Sequence, residues 1–227
     1  MKTGSPDVRA VVRANRDAYR RIASTWQSLG AGDRDPVFRA ECRRLFAARL
    51  PGPRILDLGC GTGQDAMAFA AGGRMVTAVD IVTDFLNGIK ARPGGASVSL
   101  VGMDMVRPCF APSTFDGIFA FASFLHVPRE AAAETLSNLH GLLASGGVLF
   151  LHHVASRLGL EGYSIKKLLG SCARAEAFCH TEKEMVGLLE AAGFHSIAVH
   201  RLHSDNPPSE MAIRFGLDPY QVIAENG

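Results

Sequence analysis

The sequence lacks the features that mark membrane, secreted and metal-binding proteins. None of its apolar runs approaches the roughly 20 residues that span a bilayer, and its first residues are polar and arginine-rich, unlike a signal peptide. Its five cysteines are odd in number and include no Cys-x-x-Cys pair, so neither a disulfide framework nor a zinc site is indicated. We therefore expect a cytoplasmic protein that holds no metal and has no membrane partner.

Charge of either sign is not in large excess, because 24 basic side chains stand against 22 acidic ones. Their distribution is uneven, since residues 1–54 hold 12 basic and 5 acidic side chains. A basic segment of this kind can attract nucleic acid or an anionic substrate. The arginines are spaced as on helices and have no interleaved aromatic residues, which favours a solvated helix face and no nucleic-acid partner.

The order of predicted elements indicates one α/β domain with a helical N-terminal extension, which fits a length of 227 residues. Apolar periodicity predicts helices over 7–29 and 36–50, with Asp35 as the N-cap of the second. Strands and helices then alternate, which is typical of a parallel sheet with helices on both faces. The predicted strands are 54–58, 74–79, 97–102, 115–121, 146–152, 194–202 and 209–215, and the predicted helices are 64–72, 83–91, 129–144 and 181–192.

The most informative segment is the glycine-rich loop after the first predicted strand. Gly59, Gly61 and Gly63 lie between that strand and a predicted helix, so a ligand can approach bare backbone at a helix N-terminus. Asp80 ends the second strand, where a carboxylate can accept hydrogen bonds from ribose hydroxyls. The third glycine of a dinucleotide fingerprint would fall at Gln64, one residue after Gly63, which disfavours a nicotinamide-dependent dehydrogenase.

An acid inside the first strand, Asp57, narrows the choice of ligand. Its carboxylate would repel a pyrophosphate but suits a ligand with ammonium and sulfonium groups. The segment Leu-Asp-Leu-Gly-Cys-Gly-Thr-Gly at 56–63 resembles motif I of the class I S-adenosylmethionine-dependent methyltransferases. The resemblance covers about residues 15–202. It implies S-adenosylmethionine as the cofactor and a Rossmann-like fold, a doubly wound, mostly parallel sheet of seven strands with the last strand inserted antiparallel.

The resemblance also implies cofactor-binding residues beyond the loop. In the family, an acid after the third strand accepts a hydrogen bond from the adenine amino group, and an apolar neighbour lies against the ring. Asp104 and Met105 match these positions, and Phe121 begins the stretch that passes the methionine end of the cofactor. The full predicted set is Tyr19, Trp26, Asp57, Gly59, Gly61, Gly63, Asp80, Ile81, Asp104, Met105 and Phe121.

Tyr19 and Trp26 belong to a Tyr-x-x-x-Ala-x-x-Trp pattern that resembles an N-terminal helix closing over the cofactor in this family. Aromatic rings there would exclude water and hold a sulfonium by cation–π attraction, but the same rings could simply pack the helix onto the domain. Both interpretations stay open. We divide the chain into a helical lid or extension over 1–52 and a methyltransferase core over 53–227, with a substrate insertion at about 155–180.

Histidines at predicted strand ends are the candidate bases. Methyl transfer needs a base only when the acceptor is poorly acidic, and histidine is then the usual one. His126 and His153 are the predicted catalytic residues, and His152 is a third candidate. Strand alternation sends His152 and His153 to opposite faces, so at most one of that pair is expected to face the site.

These observations lead us to expect a methyltransferase that acts on O, N or activated C of a small molecule, as a monomer or homodimer. A Leu-His pair at 125–126 is similar to the family branch that includes many methyltransferases of quinone and natural-product metabolism. Two alternatives stay open. One is a nucleic-acid or protein methyltransferase that uses the basic N-terminal quarter, and the other is a non-catalytic relative that keeps cofactor binding.

Overall fold

The computed structural model describes residues 7–28, 35–166, 174–202 and 210–227. Two helices come first, α1 (Val8–Ser28) and α2 (Pro36–Ala47). The next elements are β1 (Arg54–Leu58), α3 (Gln64–Ala71), β2 (Met75–Asp80), α4 (Thr83–Lys90), β3 (Val98–Gly102), β4 (Phe115–Phe121), α5 (Arg129–Leu142) and β5 (Leu143–Ser156). The last are β6 (Gly162–Lys166), β7 (Arg174–Phe178), α6 (Glu182–Ala191), β8 (Phe194–His200), α7 (Glu210–Phe215) and β9 (Leu217–Asn226).

Seven strands form one sheet in the order β3-β2-β1-β4-β5-β9-β8. Neighbours from β3 to β5 are parallel, whereas β9 runs antiparallel to both β5 and β8. The direction of winding reverses between β1 and β4, and such a switch point opens a crevice at the carboxyl ends of the strands. The predicted fold class, a doubly wound, mostly parallel seven-stranded α/β sheet with an N-terminal helical extension, is confirmed.

Helices bury both faces of this sheet, because its central strands are apolar on both sides. One face packs against α5 and α6 through residues such as Leu136 and Leu189. The other face packs against α2, α3 and α4, where Phe46 and Phe69 contact Phe119 of β4. Because α2 contributes fully buried Phe46 to the core, it packs as part of the domain. The division of the chain at residue 52 stays a prediction.

Most predicted elements lie within a few residues of the observed ones, and Asp35 caps α2 by accepting a hydrogen bond from Phe38 N at 2.9 Å. The strand predicted over 209–215 is wrong, since Glu210–Phe215 forms α7 and the last strand is β9. Gly216, with a φ of 57°, separates the two elements. Pro219 is tolerated in β9 because it lies beyond the residues that pair with β8.

The predicted insertion contains an antiparallel hairpin of β6 and β7 that is separate from the main sheet. Helix α1 lies against β7 and α4, and so crosses the carboxyl edge of the main sheet. Asn15 of α1 makes two hydrogen bonds with the backbone of Glu176 in β7, at 3.0 Å and 2.7 Å. Within the described ranges, no helix has both the length and the apolar character needed to cross a bilayer.

Candidate active site

A cavity of about 980 Å³ lies at the carboxyl ends of β1, β2, β4 and β5, under α1. The sheet therefore opens where the switch point predicts a ligand site. Eleven of the residues predicted from the sequence line this cavity: Tyr19, Trp26, Gly59, Gly61, Asp80, Ile81, Asp104, Met105, Phe121, His126 and His152. Three others, Asp57, Gly63 and His153, do not line it and lie in the surrounding structure.

The glycine loop needs its glycines for two different reasons. Gly59 and Gly61 have φ values of 72° and 52°, in the left-handed region that favours glycine. A Cβ on Gly59 would lie 2.4 Å from Cβ of Ser123, so the loop closes tightly on the segment after β4. A Cβ on Gly61 would meet no atom within 4 Å, which leaves the loop backbone open to a ligand at that point.

Asp57 supports the loop from beneath. Its carboxylate is 2% exposed and accepts a hydrogen bond at 3.0 Å from Ala66 N in the first turn of α3. Burial, together with the nearby carboxylate of Asp65, raises the pKa of Asp57 well above its usual range. This placement fixes α3 relative to β1, so any contribution of Asp57 to ligand binding passes through the position of the loop.

Asp65 is a buried acid that the sequence analysis did not single out. It is 1% exposed and pairs with two arginines of α2, with Arg43 Nη1 at 2.7 Å and Arg39 Nε at 2.8 Å. The sequence signal for such an acidic partner was the pair of arginines four residues apart on α2, because that spacing puts both on one helix face. These ion pairs hold α2 against α3 beside the cavity.

Asp80 lies where the ribose of an adenosine-type ligand is expected. One carboxylate oxygen accepts a hydrogen bond from Gly61 N at 2.9 Å, and the other accepts one from Val82 N at 2.8 Å. Burial raises the pKa of Asp80, and these amide hydrogen bonds oppose that shift. Asp80 therefore joins the end of β2 to the glycine loop and presents a carboxylate at the cavity wall.

The residues after β3 form the next part of the wall. Asp104 accepts a hydrogen bond from Val106 N at 3.0 Å, which shapes the turn, and Met105 lies against the Gly59 loop. Apolar side chains from α4 and its N-terminus, Val82 and Phe85, line the same end of the cavity. An acid and apolar side chains thus surround the space next to Asp80, and the residues present fit an adenosine-type cofactor.

Tyr19 and Trp26 lie where they could both cover the cofactor and pack helix α1 onto the domain. Tyr19 and Trp26 line the cavity, and they also pack edge to face with ring centroids 5.8 Å apart. Trp26 further contacts the buried Val82 and Phe85 of the α4 region. Packing and coverage of the cavity are therefore performed by the same face of α1.

His126 is held in one tautomer by its partners. Its Nδ1 lies 2.8 Å from the carbonyl oxygen of Glu176, and a carbonyl only accepts, so Nδ1 carries the proton. Burial lowers the pKa of His126, so the ring is neutral and Nε2 has a lone pair. The hydroxyl of Tyr19, whose pKa is raised by burial, donates to Nε2 at 2.9 Å.

His153 does not face the cavity, as was predicted for it, and His152 faces the cavity in its place. His153 is fully buried outside the cavity, where its Nε2 lies 3.1 Å from Nδ1 of His180. Its placement as a base facing the substrate is therefore corrected. His152 lines the cavity instead, because the parallel pairing of β4 and β5 puts it beside Phe121 at the carboxyl edge. Alternation predicted that at most one of the two faces the site, but not which one.

Nowhere in the described ranges do three or more His, Cys, Asp or Glu side chains gather as a metal ion would require.

Comparison with known proteins places this geometry in context. Residues 55–147 match the family model described as a methyltransferase domain. The chain is 32% identical over 142 residues to the ubiquinone biosynthesis O-methyltransferase of Xanthomonas campestris pv. campestris. That alignment covers 60% of this chain and 58% of the relative, so the chain spans little more than half the length of the relative.

Solved structures with the same fold cover nearly the whole chain. One is the 1,6-didemethyltoxoflavin-N1-methyltransferase of Burkholderia thailandensis with 1,6-didemethyltoxoflavin and S-adenosylhomocysteine, with a TM-score of 0.73, 20% identity and coverage of 100% of this chain and 93% of that one. Another is the DhpI–SAH complex, with a TM-score of 0.74, 20% identity and coverage of 97% and 99%. At this identity, the likeness concerns the fold.

Proposed function

We propose that this chain, which carries a class I S-adenosylmethionine-dependent methyltransferase domain, transfers a methyl group to O, N or activated C of a small molecule. The match of residues 55–147 to a methyltransferase domain and the likeness to an O-methyltransferase support the family, the enzyme class and S-adenosylmethionine as the cofactor of this domain. The observation that carries the proposal is the position of Asp80 beside the open backbone at Gly61.

The cofactor would be held by Asp80 at its ribose, by Asp104 and Met105 at its adenine, and by the glycine loop. When bound, S-adenosylmethionine supplies a methyl group on a sulfonium, which is already an activated leaving group. The protein then has to align the acceptor and exclude water. Helix α1 supports this role, because its aromatic face covers the cavity and Asn15 fastens it to β7.

Proton removal from a poorly acidic acceptor is assigned to Tyr19 and His126. The Tyr19 hydroxyl covers Nε2 of His126, so an acceptor proton passes to Tyr19 Oη while the Tyr19 proton passes to Nε2. The imidazolium formed in this way keeps its Nδ1–H bond to the Glu176 carbonyl. His126 is neutral in the resting site, which is the state that a base requires.

A small-molecule acceptor is favoured by the position of the site beneath a helix. The cavity lies between the sheet edge and α1, and the relatives named above include methyltransferases of small molecules. Quinone-type or natural-product metabolism is the proposed setting.

Transfer of an isotopically labelled methyl group tests the proposal. The protein is incubated with methyl-labelled S-adenosylmethionine and, separately, with panels of phenols, amines and carbon acids, with total RNA and with a protein extract. We expect label in small-molecule products, with one molecule of S-adenosylhomocysteine released for each methyl group transferred. Label only in RNA or protein, or cofactor binding without transfer to any panel, would contradict the proposal and support one of the two alternatives.

A further inference from the structure

A row of four side chains crosses the carboxyl edge of the sheet at the wall of the cavity. The guanidinium of Arg39 lies 4.2 Å from the ring centroid of Phe121. Phe121 stacks on His152 with centroids 4.6 Å apart and a 14° angle between the ring planes. Gln221 of β9 lies opposite His152 in the adjacent strand. Arg39, Phe121 and His152 line the cavity, and Gln221 supports them from the buried side.

The amide of Gln221 has one orientation only. Its Oε1 accepts a hydrogen bond at 2.8 Å from Leu202 N, and a backbone N–H only donates. The amide nitrogen of Gln221 must therefore point the other way, where it lies 3.1 Å from Nδ1 of His152. Because this amide nitrogen is a donor, Nδ1 of His152 is the acceptor.

The tautomer of His152 follows from this bond. A neutral imidazole that accepts at Nδ1 carries its proton at Nε2. Burial and the charge of Arg39 lower the pKa of His152 to about 4, so the ring stays neutral near pH 7. Stacking on Phe121 and edge contact with Phe38, at a centroid distance of 5.5 Å, hold the ring in place. His152 is thus a fixed donor, which is the opposite of a base.

We propose that Nε2–H of His152 positions an oxygen atom of the methyl acceptor, and that the acceptor is an aromatic molecule with a phenolate or carbonyl oxygen on its ring. An oxygen lone pair satisfies the donor, and Arg39, which pairs with Asp65, lies over the ring of Phe121 in the same row. The edges of Phe38 and Phe121 supply apolar contact for a planar ring. This inference rests on the proposed function and names the substrate class of the same site.

Two variants distinguish the hydrogen-bond donor role of His152 from its stacking on Phe121. His152→Phe keeps a ring beside Phe121 and removes both nitrogens. Gln221→Glu keeps the size of the side chain, but its carboxylate accepts from Leu202 N and from His152, so the imidazole proton moves to Nδ1 and Nε2 becomes an acceptor. His195→Phe is the matched control, since His195 is an exposed histidine outside the cavity. Thermal unfolding confirms that each variant is folded.

The first readout is the tautomer itself. Nitrogen-15 NMR of histidine-labelled protein distinguishes a protonated from an unprotonated ring nitrogen. We expect Nε2 of His152 to be protonated in the unaltered protein and in His195→Phe, and Nδ1 to be protonated in Gln221→Glu. A proton on Nδ1 in the unaltered protein would overturn the inference.

The second readout is calorimetric binding of 4-nitrophenolate to the complex with S-adenosylhomocysteine, at mildly alkaline pH. We expect binding in the unaltered protein and in His195→Phe, and affinity about tenfold weaker in His152→Phe and Gln221→Glu. S-adenosylhomocysteine should bind equally to all four proteins.

The inference would be overturned if all four proteins bound 4-nitrophenolate with equal affinity, or if the unaltered protein did not bind it. Loss of S-adenosylhomocysteine binding in His152→Phe alone would instead assign His152 to the cofactor. Loss in all four proteins would contradict the proposed function.

Discussion

At the scale of single residues, the site depends on side chains whose partners are backbone groups. Asp80 accepts from Gly61 N and Val82 N, and His126 donates to the carbonyl of Glu176. Backbone partners fix which atom of a side chain accepts and which donates, because a backbone group has only one role. The chemistry of the site can therefore be assigned to named atoms.

Replacement of Asp80 by alanine tests the ribose assignment. Asp80→Ala should weaken the binding of S-adenosylhomocysteine by about 1–3 kcal/mol, because hydrogen bonds from ribose hydroxyls lose a charged acceptor. Isothermal titration calorimetry measures the change, and Asp84→Ala, an exposed acid on α4, is the control. Unchanged affinity in a folded Asp80→Ala variant would exclude the ribose role.

Replacement of Tyr19 by phenylalanine tests the proton route. Tyr19→Phe keeps the edge contact with Trp26 and removes the hydroxyl that covers Nε2 of His126. With a weakly acidic acceptor, kcat should fall by about 10²-fold while the affinity for S-adenosylhomocysteine stays the same. Steady-state kinetics across a pH series measures this split. If kcat and its pH profile are both unaffected, the hydroxyl takes no part in proton transfer.

Sequence patterns located these residues more reliably than they assigned their roles. Alternation along β5 fixed that His152 and His153 face opposite sides, since the side-chain period of a strand is two. Which side holds the cavity depends on the pairing of β5 with β4, which is a contact between distant parts of the chain. The donor role of His152 depends on Gln221, 69 residues away in sequence.

At the scale of secondary-structure elements, α1 is the part that covers the open edge of the sheet at the cavity. It is fastened to the β6–β7 hairpin by Asn15, which is buried and makes a donor and an acceptor contact with the Glu176 backbone. The same Glu176 carbonyl accepts from His126. The hairpin therefore couples coverage of the cavity to the orientation of the proposed base.

Replacement of Asn15 by leucine tests this coupling. Asn15→Leu removes two hydrogen bonds, leaves the Glu176 N–H without that partner, and should lower the free energy of unfolding by about 1–3 kcal/mol. Amide hydrogen exchange, read by mass spectrometry, should become faster in α1 and β7 but not in β1 or β4. Exchange that rises equally in all elements would indicate general destabilisation and no local clamp.

The element order was predictable because strand and helix periods differ and glycines and prolines mark the ends of elements. The last helix, α7, and the last strand, β9, were not predictable in this way. The apolar residues of α7 lie on a segment of only six residues, too short for its period to distinguish helix from strand. Pro219 also argues against a strand in the segment that forms β9, although within the described residues β5 alone pairs with β9 at that point.

At the scale of the whole molecule, a buried histidine pair links stability to pH. Burial lowers the pKa of His153 and lowers that of His180 to about 4, from the usual 6.5. Between these pH values the unfolded chain binds protons that the folded protein excludes, so the stability contributed by this pair is complete above pH 6.5 and is lost as pH falls toward 4. The rings of Phe124 and Tyr220 pack against His153, and these surroundings provide no water to solvate a charged imidazole.

Replacement of His153 by leucine tests this linkage. His153→Leu should lose less stability between neutral and acidic pH than the unaltered protein, because one excluded proton is removed. Urea unfolding at a series of pH values gives the comparison, and the exposed His195→Leu is the control. Parallel pH profiles for the unaltered protein and His153→Leu would show that other groups govern acid stability.

Every role assigned to these residues depends on the binding of S-adenosylmethionine in the cavity at the switch point of the sheet. Calorimetric titration of the purified protein with S-adenosylmethionine, S-adenosylhomocysteine and NADH tests it most directly. We expect saturable binding of the two adenosyl ligands at a ratio of one per chain and no binding of NADH. Failure of both adenosyl ligands to bind, or binding of NADH in their place, would contradict it.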